Sequence, residues 1–312
     1  MNLVFCGTPR FAVPTLTTLV QAGFKVSLVV TQPDKPRGRG LELIDSPVKQ
    51  AALALRLPLA QPDKIKNNEQ FKSQLSSLNP EAIIVVGYGR IIPRWMIDLP
   101  PMGNLNLHAS LLPKYRGAAP IQWAIAAGEP KTGVTIMRID EGLDTGDILT
   151  QREMAITNED RADTLVPRLA QMGAELMIET LHGLQAGKVV ATPQDHSKAT
   201  LAPILKKVDG LIDFNRTAVE IWNRLRGFQP WPGAYTSFRG KQLQVHAAKP
   251  SESSAVLAQG EVLADNDNLL VGCGNHTALA ISELQLEGKK RMSAREFLNG
   301  YKLAKGERLG SS

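Results

Sequence analysis

The sequence predicts a doubly wound α/β domain with a mostly parallel sheet, followed by a smaller β-barrel domain. Three observations carry this. Short Val- and Ile-rich runs alternate with helix-length segments through the first part of the chain, as strands buried on both faces of a parallel sheet do. After Gly233 the helical spacing gives way to short, closely spaced apolar runs. At 312 residues the chain is also longer than most single domains, so two cores of unequal size can form.

In order, Leu3 to Cys6 reads as the first strand and Phe11 to Gln21 as a helix stopped by Gly23. Val26 to Thr31 is the second strand. Pro47 to Arg56 is a helix capped by Ser46, and Glu69 to Leu78 is a helix that ends before Asn79-Pro80. Strands follow at Ala82 to Gly87, Asn104 to Leu107 and Gly133 to Ile139. A longer helix places Ala162, Leu165, Leu169, Met172 and Leu176 on one core-facing stripe. These elements assign residues 1–188 to the α/β domain. A Gly-, Pro-, Lys- and Thr-containing stretch at 189–208 reads as a linker, and 209–312 as the second domain. That domain opens with an amphipathic helix carrying Val219, Trp222 and Leu225. Runs at Ala234 to Phe238, Leu243 to Ala248, Gly260 to Leu263, Leu269 to Gly272 and Ala278 to Leu286 suggest a small β-barrel. Ser293-Ala-Arg-Glu296 is a capping box that starts a last short helix.

Hydrophobic residues at 43% and charged residues at 21% exclude a wholly disordered or collagen-like chain. No apolar run reaches the roughly 18 residues needed to span a bilayer, and Met1 to Cys6 enters a strand without a charged leader, so a cytoplasmic location is expected. Two cysteines, Cys6 and Cys273, are too few for a disulfide framework or a thiolate zinc site. The net charge of +6 favours an anionic partner. It is denser toward the end: from Lys207 onward there are 14 basic and 11 acidic residues, against 22 and 19 before it.

Asn106 and His108 stand two apart at a predicted strand end, so they point the same way where open α/β sheets place their ligands. An imidazole exchanges protons near neutral pH, and an amide can donate to an oxygen that becomes negative. Acyl transfer through a tetrahedral intermediate requires one group of each kind. The loop Ser110 to Gly117, SLLPKYRG, follows with a Pro-restricted turn and a basic tip able to position a ligand. Beyond the next strand, Asp140 to Asp147 holds four acids and two glycines. Its spacing departs from a calcium-binding loop, and a single carboxylate that orients an imidazole is the simpler use. The turn Gly7 to Phe11 has one glycine where a dinucleotide fingerprint needs three, which argues against NAD. His182, His196, His246 and His276 have no comparable setting and read as structural or surface residues.

Asn106-X-His108, SLLPKYRG and the downstream Asp144 resemble the active-site signature of the folate-dependent formyltransferases. The resemblance implies a Rossmann-like domain that takes 10-formyltetrahydrofolate as formyl donor. It also implies Asn106, His108 and Asp144 as catalytic residues, Ser110, Leu111, Leu112 and Pro113 as the folate-contacting loop, and no metal. GAAPIQ at Gly117 to Gln122, TQPDKPRGRG at Thr31 to Gly40 and FQPWPGA at Phe228 to Ala234 resemble the branch acting on initiator methionyl-tRNA, hence a role in translation initiation. One departure is Trp123, where several relatives would have arginine. In the family the carboxy-terminal part is a barrel related to oligonucleotide-binding folds. With a tRNA substrate, Lys206, Lys207, Lys289, Lys290 and Arg291 become candidate phosphate contacts. Lys35, Arg37 and Arg39, interleaved with Pro36, Gly38 and Gly40, predict a mobile acceptor-stem loop over Asp34 to Asp45 that resists helix or strand. A monomer is expected. The alternatives are a formyltransferase acting on an amino sugar nucleotide or ribonucleotide amine, and a non-catalytic nucleic-acid-binding protein on the same scaffold.

Overall fold

A computed structural model describes residues 1–37, 42–252 and 256–310. In chain order the elements to residue 185 are β1 (Asn2–Gly7), α1 (Val13–Gln21), β2 (Lys25–Val30), β3 (Lys35–Arg37), β4 (Glu42–Ile44), α2 (Pro47–Ala54), β5 (Leu59–Ala60), α3 (Glu69–Ser77), β6 (Ala82–Val86), α4 (Arg94–Ile97), β7 (Asn104–His108), α5 (Pro120–Ala126), β8 (Lys131–Arg138), β9 (Ile148–Ala155) and α6 (Ala162–Gln185). There follow α7 (Ala218–Gly227), β10 (Ala234–Phe238), β11 (Lys241–Ser251), β12 (Val262–Asp265), β13 (Asn268–Gly272), β14 (Ala278–Leu286), β15 (Met292–Ser293) and α8 (Ala294–Gly300). The chain forms two compact units. Met1–Pro120, Lys131–Ala155 and Val166–Ala202 make the first; Ile121–Pro130, Ile156–Leu165 and Pro203–Ser312 make the second.

In the first unit seven strands form one sheet in the order β5-β2-β1-β6-β7-β8-β9. The five from β5 to β7 are parallel, and β8 and β9 are antiparallel additions at one edge. The central parallel strands β1 and β6 are almost wholly apolar because both faces are covered, whereas β7 alternates Asn and His with Leu. On one face Val4, Cys6, Leu28, Val30, Ile83 and Val85 pack with Phe71 and Leu75 of α3 and Met96 of α4. At α6, Gly173 lets β7 come close: a Cβ there would stand 2.6 Å from both methyls of Leu107. Leu107 is thereby seated on the face opposite to Asn106 and His108. Ser46 caps α2 as expected, its hydroxyl accepting from Lys49 N–H at 3.1 Å.

This unit differs from the sequence reading at the short β5 and α4, which were not expected, at β9 and at residues 34–45. β9 was not expected; it is an edge strand with alternating exposure, so its apolar signal is weak. Residues 34–45 were expected to resist strand formation, yet β3 and β4 pair antiparallel in the register Lys35↔Ile44 to Arg37↔Glu42. Pro36 is tolerated because a two-stranded ribbon is all edge. The ends of the ribbon are fastened to α2: Lys49 pairs with Asp34 and, at 2.8 Å, with Asp45. The hydrogen bond from Lys49 holds the Asp34 carboxyl below its ordinary range. Arg39, Gly38 and Gly40 lie outside the described residues.

In the second unit the antiparallel strands run β10-β11-β14-β13-β12, with β15 also on β14. Residues 307–310 join the two edges. Val262 N–H donates to Glu307 O and Leu309 N–H to Gly260 O on the β12 side, and Gly310 N–H donates to Ser237 O of β10. This closes the sheet into the small barrel expected from the sequence. Its core holds Leu225, Phe238, Leu243, Leu269, Leu284 and Phe297, with the Phe238 and Phe297 rings packed edge to face at 5.1 Å. Thr217 with Glu220 and Ser293 with Glu296 form capping boxes at the starts of α7 and α8. Among the described residues no helix is long and apolar enough to cross a membrane.

Candidate active site

The site grows from the carboxyl end of β7. Asn104 anchors this strand, its side-chain amide donating to Met96 O at 2.8 Å and Ile97 O at 3.0 Å. Two and four residues on, Asn106 and His108 share its face by strand alternation. Asn106 is partly exposed, and His108 is 6% exposed. The next element, Ser110 to Pro113, is stitched to β8 and β9. Thr135 Oγ1 donates to Ser110 O at 2.6 Å and accepts from Leu112 N–H at 3.2 Å, while Gln151 Nε2 donates to Leu112 O at 2.8 Å. Ser110 and Leu112 are buried, and the Ser110 hydroxyl donates to Lys114 O at 2.6 Å. A ligand at this loop therefore meets its backbone and the partly exposed Leu111 and Pro113.

Beyond β8 the acidic loop turns Asp144 back toward β7. Its backbone is left-handed (φ 51°), a conformation that aspartate and asparagine accept more readily than most residues. Asp144 Oδ2 accepts from Gly117 N–H at 2.8 Å and stands 3.6 Å from His108 Nδ1. His108 Nε2 lies 2.8 Å from Tyr115 O. Each ring nitrogen thus faces an oxygen, so the imidazole can carry a proton on either side without moving. Gly117 (φ 117°) fits under the backbone of Ala202, where a Cβ would come within 2.7 Å of the carbonyl oxygen. Of the other loop carboxylates, Asp140 accepts from Gly142 N–H and the Thr145 hydroxyl, and Glu141 pairs with Arg94. Among the described residues no group of three His, Cys, Asp or Glu is placed to hold a metal.

The structure brings Asp144, from the acidic loop, to His108 on β7, on the face that Asn106 shares. Sequence reasoning missed the supports behind them. Gln194, Thr200 and Ala202, in the stretch read as linker, hydrogen-bond to the acidic loop and to residues 115–119. Gln194 carries no local signal. His196 and His182, read as structural or surface residues, fit that reading: His196 is exposed with Nδ1 3.1 Å from Arg116 Nη2, and His182 stacks on Phe24 at 5.4 Å. Trp123 belongs to the second unit, where its indole donates to Pro203 O at 2.8 Å and packs edge-on against Phe228.

The basic residues lie in both units. Lys35 and Arg37 are on β3 of the first. In the second, Lys206 and Lys207 are exposed before α7, and Lys289, Lys290 and Arg291 are exposed after β14. Arg291 is paired with Glu283, so Lys289 and Lys290 carry the freer charge of that run.

The sequence pattern of the formyl transferase family matches residues 1–181, and that of the formyl transferase carboxy-terminal domain matches 204–302. Methionyl-tRNA formyltransferase of Koribacter versatilis is 64% identical over 99% of both chains, and that of Acidobacterium capsulatum is 60% identical over the whole of both. Among solved structures, WlaRD, a sugar 3N-formyl transferase in the presence of dTDP and 5-N-formyl-THF, gives a TM-score of 0.67 at 18% identity, over 93% of this chain and 99% of that one. HypX from Aquifex aeolicus in complex with tetrahydrofolic acid gives 0.60 at 18% identity, over 95% of this chain and 46% of that one. At such identities these two structures speak to the fold alone.

Proposed function

The chain belongs to the formyl transferase family, and from that membership we infer that it transfers a formyl group to the amino group of methionine on initiator methionyl-tRNA. The donor in this reading is 10-formyltetrahydrofolate, bound as a cosubstrate at the carboxyl end of β7 beside the 110–113 loop. The observation that carries it is the approach of Asp144 to His108 on the face that Asn106 shares, with Asp144 Oδ2 3.6 Å from His108 Nδ1. A substrate carried by a tRNA also suits a location in the cytoplasm.

The unprotonated methionyl amine attacks the formyl carbon, forming the new C–N bond and a tetrahedral oxyanion. Asn106 Nδ2 donates to that oxygen; one such donor contributes about a hundred- to a thousand-fold. His108 accepts the proton lost by the attacking amine and returns it to the folate nitrogen as the old C–N bond breaks. Proton transfer of this kind contributes about a hundred- to ten-thousand-fold. Asp144 fixes the ring orientation and faces the charge that the ring gains. Asn106 is partly exposed and so open to a ligand, while His108 is nearly enclosed with Nδ1 toward Asp144 and Nε2 on Tyr115 O, so taking the proton from the amine requires a ring nitrogen to leave one of these contacts.

Phosphate contact falls in this reading to Lys206, Lys207, Lys289, Lys290 and Arg291 on the second unit, and to Lys35, Arg37 and Arg39 of the segment from Asp34 to Asp45. The direct test is single-turnover formylation of charged initiator tRNA by Asn106→Ala and His108→Ala. Each folded variant is expected to lose at least about a hundred-fold, and near-normal turnover would remove that residue from the mechanism.

A further inference from the structure

Behind the catalytic carboxylate lies a buried circuit. We propose that Gln194 is a positioning residue for formyl transfer, tethering the Asp144 loop so that its carboxylate faces His108. The proposal rests on the catalytic reading of Asp144.

Gln194 Nε2 donates to Asp144 O at 2.9 Å and to Gly146 O at 2.7 Å, which uses both of its amide hydrogens. Its Oε1 accepts from Arg116 Nε at 3.1 Å and Nη2 at 2.7 Å. The amide cannot be flipped: its oxygen would meet two carbonyls and its NH2 the guanidinium. Gln194 is 5% exposed and Arg116 7%, so water competes weakly for these bonds.

Arg116 is itself immobile. Its N–H donates to Thr200 O at 2.8 Å, its carbonyl accepts from Ala202 N–H at 2.7 Å, and Nη2 also reaches His196 Nδ1. The next residue closes the ring, because Gly117 N–H is the donor to Asp144 Oδ2. Asp144 is thus held twice through one short segment, by its carboxylate from Gly117 and by its backbone through Gln194 from Arg116. The acidic loop needs such a hold. It contains Gly142 and Gly146 beside a left-handed Asp144; outside the circuit Gly142 and Thr145 bond locally to Asp140, and the reach outward is an exposed pair of Glu141 with Arg94 at 3.4 Å.

The tether requires a side chain that donates twice and accepts twice at this position. Gln194→Met keeps the length and removes both functions. Gln194→Glu keeps the acceptor for Arg116 but presents a carboxylate oxygen to the carbonyls of Asp144 and Gly146. Each would be measured in the full-length enzyme, after circular dichroism has confirmed folding, for kcat and for KM of folate and charged tRNA. Since a misplacement of about 1 Å can cost about a hundred-fold, Gln194→Met is expected to lower kcat by about ten- to a hundred-fold with both KM values unchanged. The effect should disappear in an Asp144→Asn background, where the carboxylate being positioned is already gone. Unchanged kcat in both folded Gln194 variants, a change confined to KM, or an undiminished loss in the Asp144→Asn background would overturn the tether. Wild-type turnover in Asp144→Asn alone would instead overturn the catalytic reading beneath it.

Discussion

In the proposed function Asp144 has two roles, and two substitutions separate them. In Asp144→Asn the side-chain oxygen can still accept from Gly117 N–H, and asparagine tolerates the left-handed backbone, so stability should stay within about 1 kcal/mol of the parent. The charge facing His108 is lost, and turnover should fall at least about a hundred-fold, equivalent to about 2.7 kcal/mol of transition-state stabilisation. Asp144→Ala loses the acceptor as well. An alanine at φ 51° costs about 1–2 kcal/mol, and the orphaned Gly117 N–H costs about 1–3 kcal/mol, so this variant should be destabilised by roughly 2–5 kcal/mol. Urea unfolding gives the stabilities, and single-turnover formylation at saturating folate gives the rates. Near-normal turnover in Asp144→Asn would refute an electrostatic role for the carboxylate. Equal stability of the Asn and Ala variants would refute the claim that Asp144 also holds the 116–117 segment.

Three further outcomes are expected. Lys289→Ala with Lys290→Ala should weaken binding of initiator tRNA and flatten its salt dependence, without changing folate binding; an unchanged slope of affinity against salt would exclude both residues. Arg39→Ala should impair formylation of charged tRNA far more than folate binding, and an unchanged tRNA rate would remove it from the interface. Ser293→Ala should cost about 1 kcal/mol through loss of the α8 cap. The Glu296 carboxyl is held below its ordinary range by the Ser293 backbone N–H and then its hydroxyl, so its contribution is complete above the unfolded glutamate pKa and lost as pH falls through the folded one. The stability gap between parent and Ser293→Ala should therefore narrow toward low pH; a gap independent of pH would contradict this.

Most of the parallel strands were readable in the sequence because burial on both faces makes them strongly apolar, as in Ala82–Val86, whereas the two-residue β5 is too short to leave a pattern. β9 was not, because only one of its faces is covered and half of its residues, in ILTQREMA, are polar. The barrel strands were readable individually, but their closure by residues 307–310 uses backbone hydrogen bonds from a segment with no strand pattern. At the site, Asn106 and His108 could be paired by the two-residue period of a strand. Asp144 was placed beside them only by resemblance, since nothing local to the acidic loop says which way it turns. Gln194 was invisible for the same reason: its partners at 144 and 146 are brought to it by the path of the chain.

The central claim is the transfer itself, and it is tested most directly by supplying the purified chain with 10-formyltetrahydrofolate and two amine acceptors, methionine-charged initiator tRNA and a dTDP-linked amino sugar. Appearance of formylmethionine on the tRNA, with the sugar amine left unmodified, is the predicted result. Formylation of the sugar without formylation of the tRNA would contradict the account.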